Sequence, residues 1–100
     1  MDLEIIRKVI ESDNVESAEK ILEEIGETKQ ENCISLLIDY LKSTKNHRIR
    51  NSIAIALSDI GSEKAIEPLI EMINDPKTLG YRGSLFYALK ALDCSAHLET

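Results

Sequence analysis

The sequence predicts an all-α fold, a short right-handed α-solenoid of about six stacked antiparallel helices. Apolar residues recur at the i, i+3, i+4, i+7 spacing of amphipathic helices, and no segment shows the alternation with period two that is typical of strands. The pattern also repeats after 32 residues: Ile34, Leu37, Ile38 and Leu41 recur as Ile66, Leu69, Ile70 and Ile73. A unit of this length cannot bury its own apolar face, so the units must stack. The linkers are short, which makes consecutive helices antiparallel hairpins.

The first two predicted helices cover residues 2–12 and 15–25. In the first helix, four apolar residues share one face: Leu3, Ile6, Val9 and Ile10. Asp13 and Glu16 have the spacing of a capping box, in which two side chains satisfy free N–H groups at a helix start. We expect the second helix to stop at Gly26, because glycine favours the left-handed conformation that ends helices.

The next two predicted helices cover residues 29–43 and 47–60. The boundary signals are a Thr28–Glu31 capping box, an N-cap at Asn46 and a C-terminal glycine at Gly61. These residue types suit helix ends because short polar side chains accept hydrogen bonds from free N–H groups and glycine tolerates a positive φ.

The fifth predicted helix covers residues 63–74 and is opened by Ser62. Pro68 lies inside it, so we expect an irregular first turn or a helix proper that begins near this proline. A sixth helix is predicted over residues 80–92, and residues 94–100 are predicted to open a seventh helix.

Residues 46–76 resemble a HEAT-like repeat of the short type that is also seen in phycobilisome-lyase-related proteins. The matching marks are Arg50 in the outer helix, the Ala56-Leu57…Ile60-Gly61 ending, and the inner helix Ala65-Ile66…Leu69-Ile70…Ile73. Residues 81–98 repeat the pattern. The resemblance implies a HEAT-like solenoid in which the aspartate after one inner helix, Asp75, bonds the arginine of the next outer helix, Arg82.

The chain is predicted to form a single HEAT-like repeat domain over residues 1–100. Its predicted parts are an N-terminal helix and three repeat units, the last of them incomplete: 1–12, 13–43, 46–75 and 80–100. No linker rich in proline, glycine or serine divides the chain, which favours one continuous stack.

The charge is unevenly distributed. The net charge is −6, and residues 1–44 hold eleven acids against five bases, whereas residues 45–100 hold seven of each. Acidic surfaces repel phosphate groups, so we expect no nucleic acid and no membrane among the partners, and a basic protein instead. Cys33 and Cys94 are lone thiols on different units, which favours a reducing cytoplasm over a disulfide.

Five acidic residues fall on the solvent side of the predicted inner helices: Glu31, Asp39, Glu63, Glu67 and Glu71. We call this set the acidic strip. Glu31 and Glu63 are equivalent in the repeat, as are Asp39 and Glu71. Inner helices usually line the partner-binding surface of a solenoid, so the strip is a candidate docking site for a basic protein. The simpler interpretation is a glutamate-rich solvated face.

A second candidate contact lies at the C-terminal end. Phe86 and Tyr87 stand beside the main apolar stripe of the sixth predicted helix, at an edge where no polar capping face is evident. Uncovered apolar surface favours association. We therefore expect either a protein partner to bind there or a second copy of the chain, which would form a homo-oligomer.

The sequence contains no arrangement that indicates catalysis or a metal site. Cys94 and His97 are three residues apart, but a zinc site needs about four ligands. No glycine-rich loop resembles a phosphate cradle. A short basic cluster is a candidate anion site, although most such clusters are simply solvated: Lys42, Lys45, His47, Arg48 and Arg50. We expect no cofactor.

These observations predict a non-catalytic protein-interaction module of bacterial type rather than an enzyme. One alternative is an acidic immunity or antitoxin protein that neutralises a basic nuclease toxin, with fast association from complementary charge. The family resemblance implies a second alternative, an accessory subunit of a lyase-type enzyme.

Overall fold

The computed structural model describes residues 2–12 and 14–97, with side chains described as far as Leu92. These residues form six α-helices and no strand: α1 (Leu3–Glu11), α2 (Val15–Glu27), α3 (Ile34–Ser43), α4 (His47–Ile60), α5 (Ile66–Asn74) and α6 (Gly83–His97). Three short 3-10 turns lie between them: Glu31–Cys33, Glu63–Ala65 and Pro76–Thr78.

The helices pack in two layers. In the outer layer α4 lies between α2 and α6, in the inner layer α3 packs beside α5, and α1 packs against α2. Large aliphatic side chains from both layers meet in the core and are fully buried: Leu22, Leu37, Ile53, Leu57, Leu69 and Leu85. Removal of this apolar surface from water is the main force that holds the stack together. The predicted all-α, solenoid-like fold is confirmed.

Capping side chains begin both α1 and α4, and the caps predicted for α4 are confirmed. Asp2 caps α1, and its carboxylate accepts a hydrogen bond from the Glu4 N–H at 2.9 Å. The Asn46 side chain accepts from the first free N–H groups of α4, as predicted. Gly61 ends α4 with a φ of 80°. Each of these contacts joins residues close in sequence, so the local pattern is enough to find them.

α2 begins with a different N-cap from the predicted one. The Asn14 side chain accepts a hydrogen bond from the Ser17 N–H at 3.1 Å. The predicted capping residue, Asp13, lies outside the described residues. Asparagine and aspartate are equally good N-caps, so residue type alone does not separate the two neighbours.

The predicted end of α2 at Gly26 is wrong. The helix continues to Glu27, and Gly26 is buried within it. A Cβ at Gly26 would lie 3.0 Å from Asp59 Oδ2 and 3.3 Å from the Ala56 Cα. Gly26 therefore serves the close approach of α2 to α4 rather than the end of a helix.

The left-handed residue that follows α2 is Lys29, with a φ of 50°. Lys29 precedes Gly61 by one 32-residue repeat, and Gly61 is also left-handed. The backbone reversal thus follows the repeat, even though a lysine occupies the position in the first unit. This costs some strain, since a side chain disfavours a positive φ.

The third helix begins later than predicted, and the Thr28–Glu31 capping box does not form. The Thr28 Oγ1 donates to the Glu24 carbonyl at 2.7 Å, so it satisfies the end of α2 instead. The Glu31–Cys33 turn intervenes before α3 begins. The Glu63–Ala65 turn precedes α5 in the same way, one repeat later.

The irregular start predicted for the fifth helix is confirmed. The Ser62 hydroxyl accepts from the Lys64 N–H at 3.2 Å and opens a 3-10 turn. The helix proper begins at Ile66, and Pro68 falls in its first turn. A proline is tolerated there because the missing N–H would have no partner within the helix.

α6 starts later and ends later than predicted. It begins at Gly83 rather than at residue 80, because Gly80 has a φ of 88°, which a right-handed helix does not allow. It runs without a break to His97, so the seventh helix predicted to open at Cys94 is wrong as far as the chain is described. No glycine stands where Gly61 ends α4, and no local signal therefore stops α6. Residues 98–100 of that prediction lie outside the described residues.

Candidate protein-binding surface

All five residues of the acidic strip are exposed to solvent. Glu31 and Glu63 lie in the 3-10 turns before the inner-layer helices, Asp39 lies on α3, and Glu67 and Glu71 lie on α5. Because α3 and α5 are neighbours in the inner layer, the repeat places equivalent carboxylates on adjacent helices. The structure thus brings the strip into a single layer, on helices that pack together.

One member of the acidic strip is neutralised within the molecule. The Nζ of Lys42 on α3 lies 3.2 Å from the Oε2 of Glu71 on α5, in an exposed ion pair. The remaining members form no ion pair with any part of the chain that the structure describes: Glu31, Asp39, Glu63 and Glu67. The negative charge left for a partner therefore lies on these four residues.

The basic cluster of residues 42–50 is largely used inside the molecule. Besides the Lys42–Glu71 pair, the Nη2 of Arg48 lies 2.6 Å from the Oε1 of Glu19 on α2. Arg50 is buried. These contacts link neighbouring helices and account for most of the cluster without an external anion.

Arg50 joins α4 to the end of α3. Its Nε donates to the Leu41 carbonyl at 3.4 Å, its Nη2 donates to the Thr44 carbonyl, and its Nη1 lies 2.7 Å from the His47 Nδ1. Burial lowers the pKa of the Arg50 guanidinium, and the negative charge of Asp75 acts in the opposite direction. The free carbonyls at a helix C-terminus carry partial negative charge, which stabilises the buried cation. Arg50 therefore acts as a staple between α4 and the end of α3.

Arg82 follows Arg50 by one repeat and binds the end of the previous unit in a similar way. Its Nη2 donates to the main-chain carbonyl of Asp75 at 3.0 Å, and its Nε donates to the Thr78 Oγ1 at 3.0 Å. The implied bond from Arg82 to the Asp75 carboxylate does not form. That carboxylate accepts from the Lys77 N–H at 2.9 Å and caps the 3-10 turn instead.

The C-terminal edge exposes more apolar surface than the sequence indicated. Phe86 and Tyr87 are 53% and 63% exposed, in agreement with the predicted placement. Leu79 and Tyr81, in the segment before α6, are exposed as well. Sequence reasoning missed these two because isolated apolar residues in a turn have no helical periodicity. We call Leu79, Tyr81, Phe86 and Tyr87 the C-terminal edge.

In the described part of the chain, no three His, Cys, Asp or Glu side chains are placed to hold a metal ion. Cys33 is a free thiol buried in the core, where burial raises the pKa of the thiol. The side chains of Cys94 and His97 lie outside the described side chains. None of the described helices is long and apolar enough to span a membrane.

The family model for HEAT repeats matches residues 3–90, from α1 into α6. No curated protein and no solved structure shows significant similarity to the chain. HEAT repeats generally mediate protein–protein interactions and are typically non-catalytic scaffolds. With its two helical layers, its 32-residue register and its arginine staples, this chain belongs to the HEAT repeat family.

Proposed function

We propose that the chain is a non-catalytic interaction module of the cytoplasm that binds a basic protein through the inner-layer surface carrying the acidic strip. The observation that supports this most directly is the position of four exposed carboxylates on the two adjacent inner-layer helices and the turns before them. None of the four forms an ion pair with a residue that the structure describes. A rigid stacked scaffold holds such charges in a constant arrangement, which a complementary surface can recognise.

The proposal is tested by capture of partners with a double variant, Glu63→Lys/Glu67→Lys. The matched control is Glu16→Lys/Glu24→Lys, which makes the same change of net charge at exposed positions of the outer-layer helix α2. We expect the wild type and the control to retain the same basic proteins from a native lysate, and the strip variant to lose them. Retention should also fall as salt shortens the Debye length to about 8 Å.

Two results would contradict the proposal. Equal losses in both double variants would mean that bulk charge rather than the inner-layer surface attracts the partner. If the captured partners are acidic or neutral and neither variant changes their capture, the acidic strip takes no part in the interaction.

An immunity or antitoxin role is a second candidate, favoured by the composition of α2. This helix carries five glutamates and one lysine: Glu16, Glu19, Glu23, Glu24, Glu27 and Lys20. Such an inhibitor would cover the cleft of a basic nuclease and associate rapidly through its charge. Loss of nuclease activity at a one-to-one ratio of chain to captured nuclease would support it, and full activity in the complex would exclude it.

A further inference from the structure

A groove of about 550 Å³ lies in the outer layer, between α2 and α4. Its apolar floor includes Leu22, Ala56 and Ile55, and Ile55 is 40% exposed. Its rim carries carboxylates from both helices. This surface is distinct from the acidic strip, which lies on the inner-layer helices and their turns.

The close approach at Gly26 limits one end of the groove. There the Oδ2 and Cβ atoms of Asp59 lie 3.0 and 3.2 Å from the position that a Cβ on Gly26 would take, so α2 and α4 pack closely. At the neighbouring rim positions, Glu23 and Glu27 are one helical turn apart on α2. Residues four apart share one face of a helix, so both carboxylates can act on the same ligand group.

The groove keeps a negative charge after its internal contacts are counted. Glu19 is paired with Arg48, but Glu23, Glu27 and Asp59 form no ion pair with a described residue. The Lys29 Nζ donates to the main-chain carbonyl of Asp59 at 2.8 Å, so one cation lies near that end. Four rim carboxylates against two cations leave an excess of negative charge over an apolar floor.

We propose that this groove binds an arginine side chain from a basic segment of the protein partner. The aliphatic part of the arginine would lie on the exposed side chain of Ile55, and the guanidinium would reach Glu23 and Glu27. Arginine fits better than lysine because its planar head donates to two carboxylate oxygens at once and is more weakly hydrated. The inference rests on the proposed function, since it assumes a basic protein partner, and it adds a contact on the outer layer.

The probe is a synthetic peptide of alternating arginine and leucine, ten residues long, compared with the same peptide in which lysine replaces arginine. Binding is followed by methyl NMR at Leu22, Ile55 and Ala56. We expect the arginine peptide to shift these three methyl signals and to bind more tightly than the lysine peptide. Glu23→Gln/Glu27→Gln should weaken its binding by about tenfold.

The matched control is Glu16→Gln/Glu24→Gln, which removes the same charge from exposed positions of α2 that do not line the groove. It should change binding of the peptide by less than about twofold. Both variants alter only exposed side chains, and thermal melts establish that both remain folded. A third variant, Ile55→Asn, tests the floor without a change of charge and should also weaken binding.

The outcomes separate this inference from the proposed function. Loss of captured partners in the strip variant Glu63→Lys/Glu67→Lys, with no effect of the groove variant on peptide binding, would overturn the groove site and leave the inner-layer proposal standing. Equal weakening of peptide binding by the groove variant and its control, or no shift of the three methyl signals, would also overturn the groove site. Loss of peptide binding in the groove variant, with no loss of captured partners in the strip variant, would support the groove and reject the inner-layer proposal.

Discussion

The imidazole ring of His47 stacks on the phenol ring of Tyr81, with 3.8 Å between ring centroids and 4° between planes. His47 is the first residue of α4, and Tyr81 lies in the linker before α6, so the stack ties two repeat units together. The same imidazole places its Nδ1 2.7 Å from the Arg50 Nη1. A guanidinium only donates, so Nδ1 must be the acceptor and the ring proton must lie on Nε2.

The first prediction concerns this stack. Tyr81→Ala should lower the free energy of unfolding by about 0.5–1.5 kcal/mol, because the ring contact is lost. Tyr87→Ala is the control, since Tyr87 is also exposed, and it should cost less than about 0.5 kcal/mol. Urea unfolding measures both values, and nitrogen chemical shifts of His47 should show the proton on Nε2. Equal costs, or a proton on Nδ1, would contradict the arrangement.

The second prediction concerns the two arginine staples. Arg50→Met should lower the free energy of unfolding by about 2–4 kcal/mol, because the Leu41 and Thr44 carbonyls lose a charged donor in a buried site. Arg82→Met should cost less, about 1–2 kcal/mol, because Arg82 is only partly buried. Denaturant unfolding of both variants measures the two losses in free energy of unfolding, and a larger loss in Arg82→Met than in Arg50→Met would contradict the prediction.

The third prediction compares two neighbours on α5. Leu69 is fully buried between the layers, and Leu69→Ala should cost about 2–5 kcal/mol through lost contacts and a cavity. Glu67 is exposed, and Glu67→Ala should change stability by less than about 0.5 kcal/mol. Circular dichroism melts compare the two, and similar losses would contradict the assignment of faces on α5.

The fourth prediction concerns pH. Burial and the neighbouring Glu11 carboxylate raise the pKa of Tyr40 to about 12. Folding therefore favours the neutral phenol. Its full contribution to the stability of the fold is present at pH values below the unfolded pKa of about 10. That stability is lost as the pH rises through the folded pKa. Absorbance near 295 nm should show a late tyrosine ionisation that disappears in Tyr40→Phe, and its persistence in that variant would refute the assignment.

The fifth prediction concerns the C-terminal edge. Exposed apolar side chains on α6 favour contact between copies of the chain, so sedimentation equilibrium should show association that grows with protein concentration. Phe86→Ser/Tyr87→Ser should reduce it, whereas Glu63→Ser/Glu67→Ser should not. A wild-type chain that stays monomeric at high concentration would remove this edge as a self-association site.

The exposure of the acidic strip and of Phe86 and Tyr87 could be predicted from the sequence, because helical periodicity separates buried from exposed faces. The Lys42–Glu71 pair and the outer-layer groove could not. The residues that make them come from different helices, and their separation depends on how closely those helices pack. No local sequence pattern determines the distance between two packed helices.

The all-α class, the 32-residue register and the caps at Asn46 and Gly61 can all be derived from the order of the residues alone. These features depend on helix periodicity and on hydrogen bonds between residues a few positions apart. The role of Gly26 depends on the packing of the helices, because the rule that glycine ends a helix predicts the same role for Gly26 as for Gly61. Its surroundings are set by Asp59, more than thirty residues away, on a helix that packs against it.

The two arginine staples show the same contrast between what the sequence predicts and what the packing adds. The positions of Arg50 and Arg82 follow from the repeat, but their acceptors were decided by the fold. Each guanidinium donates to at least one main-chain carbonyl at the end of the preceding inner-layer unit, because helix termini and turns present carbonyls without partners there. Every residue type carries a main-chain carbonyl, so the sequence could not reveal these acceptors, and only the packing of the layers brings them within reach.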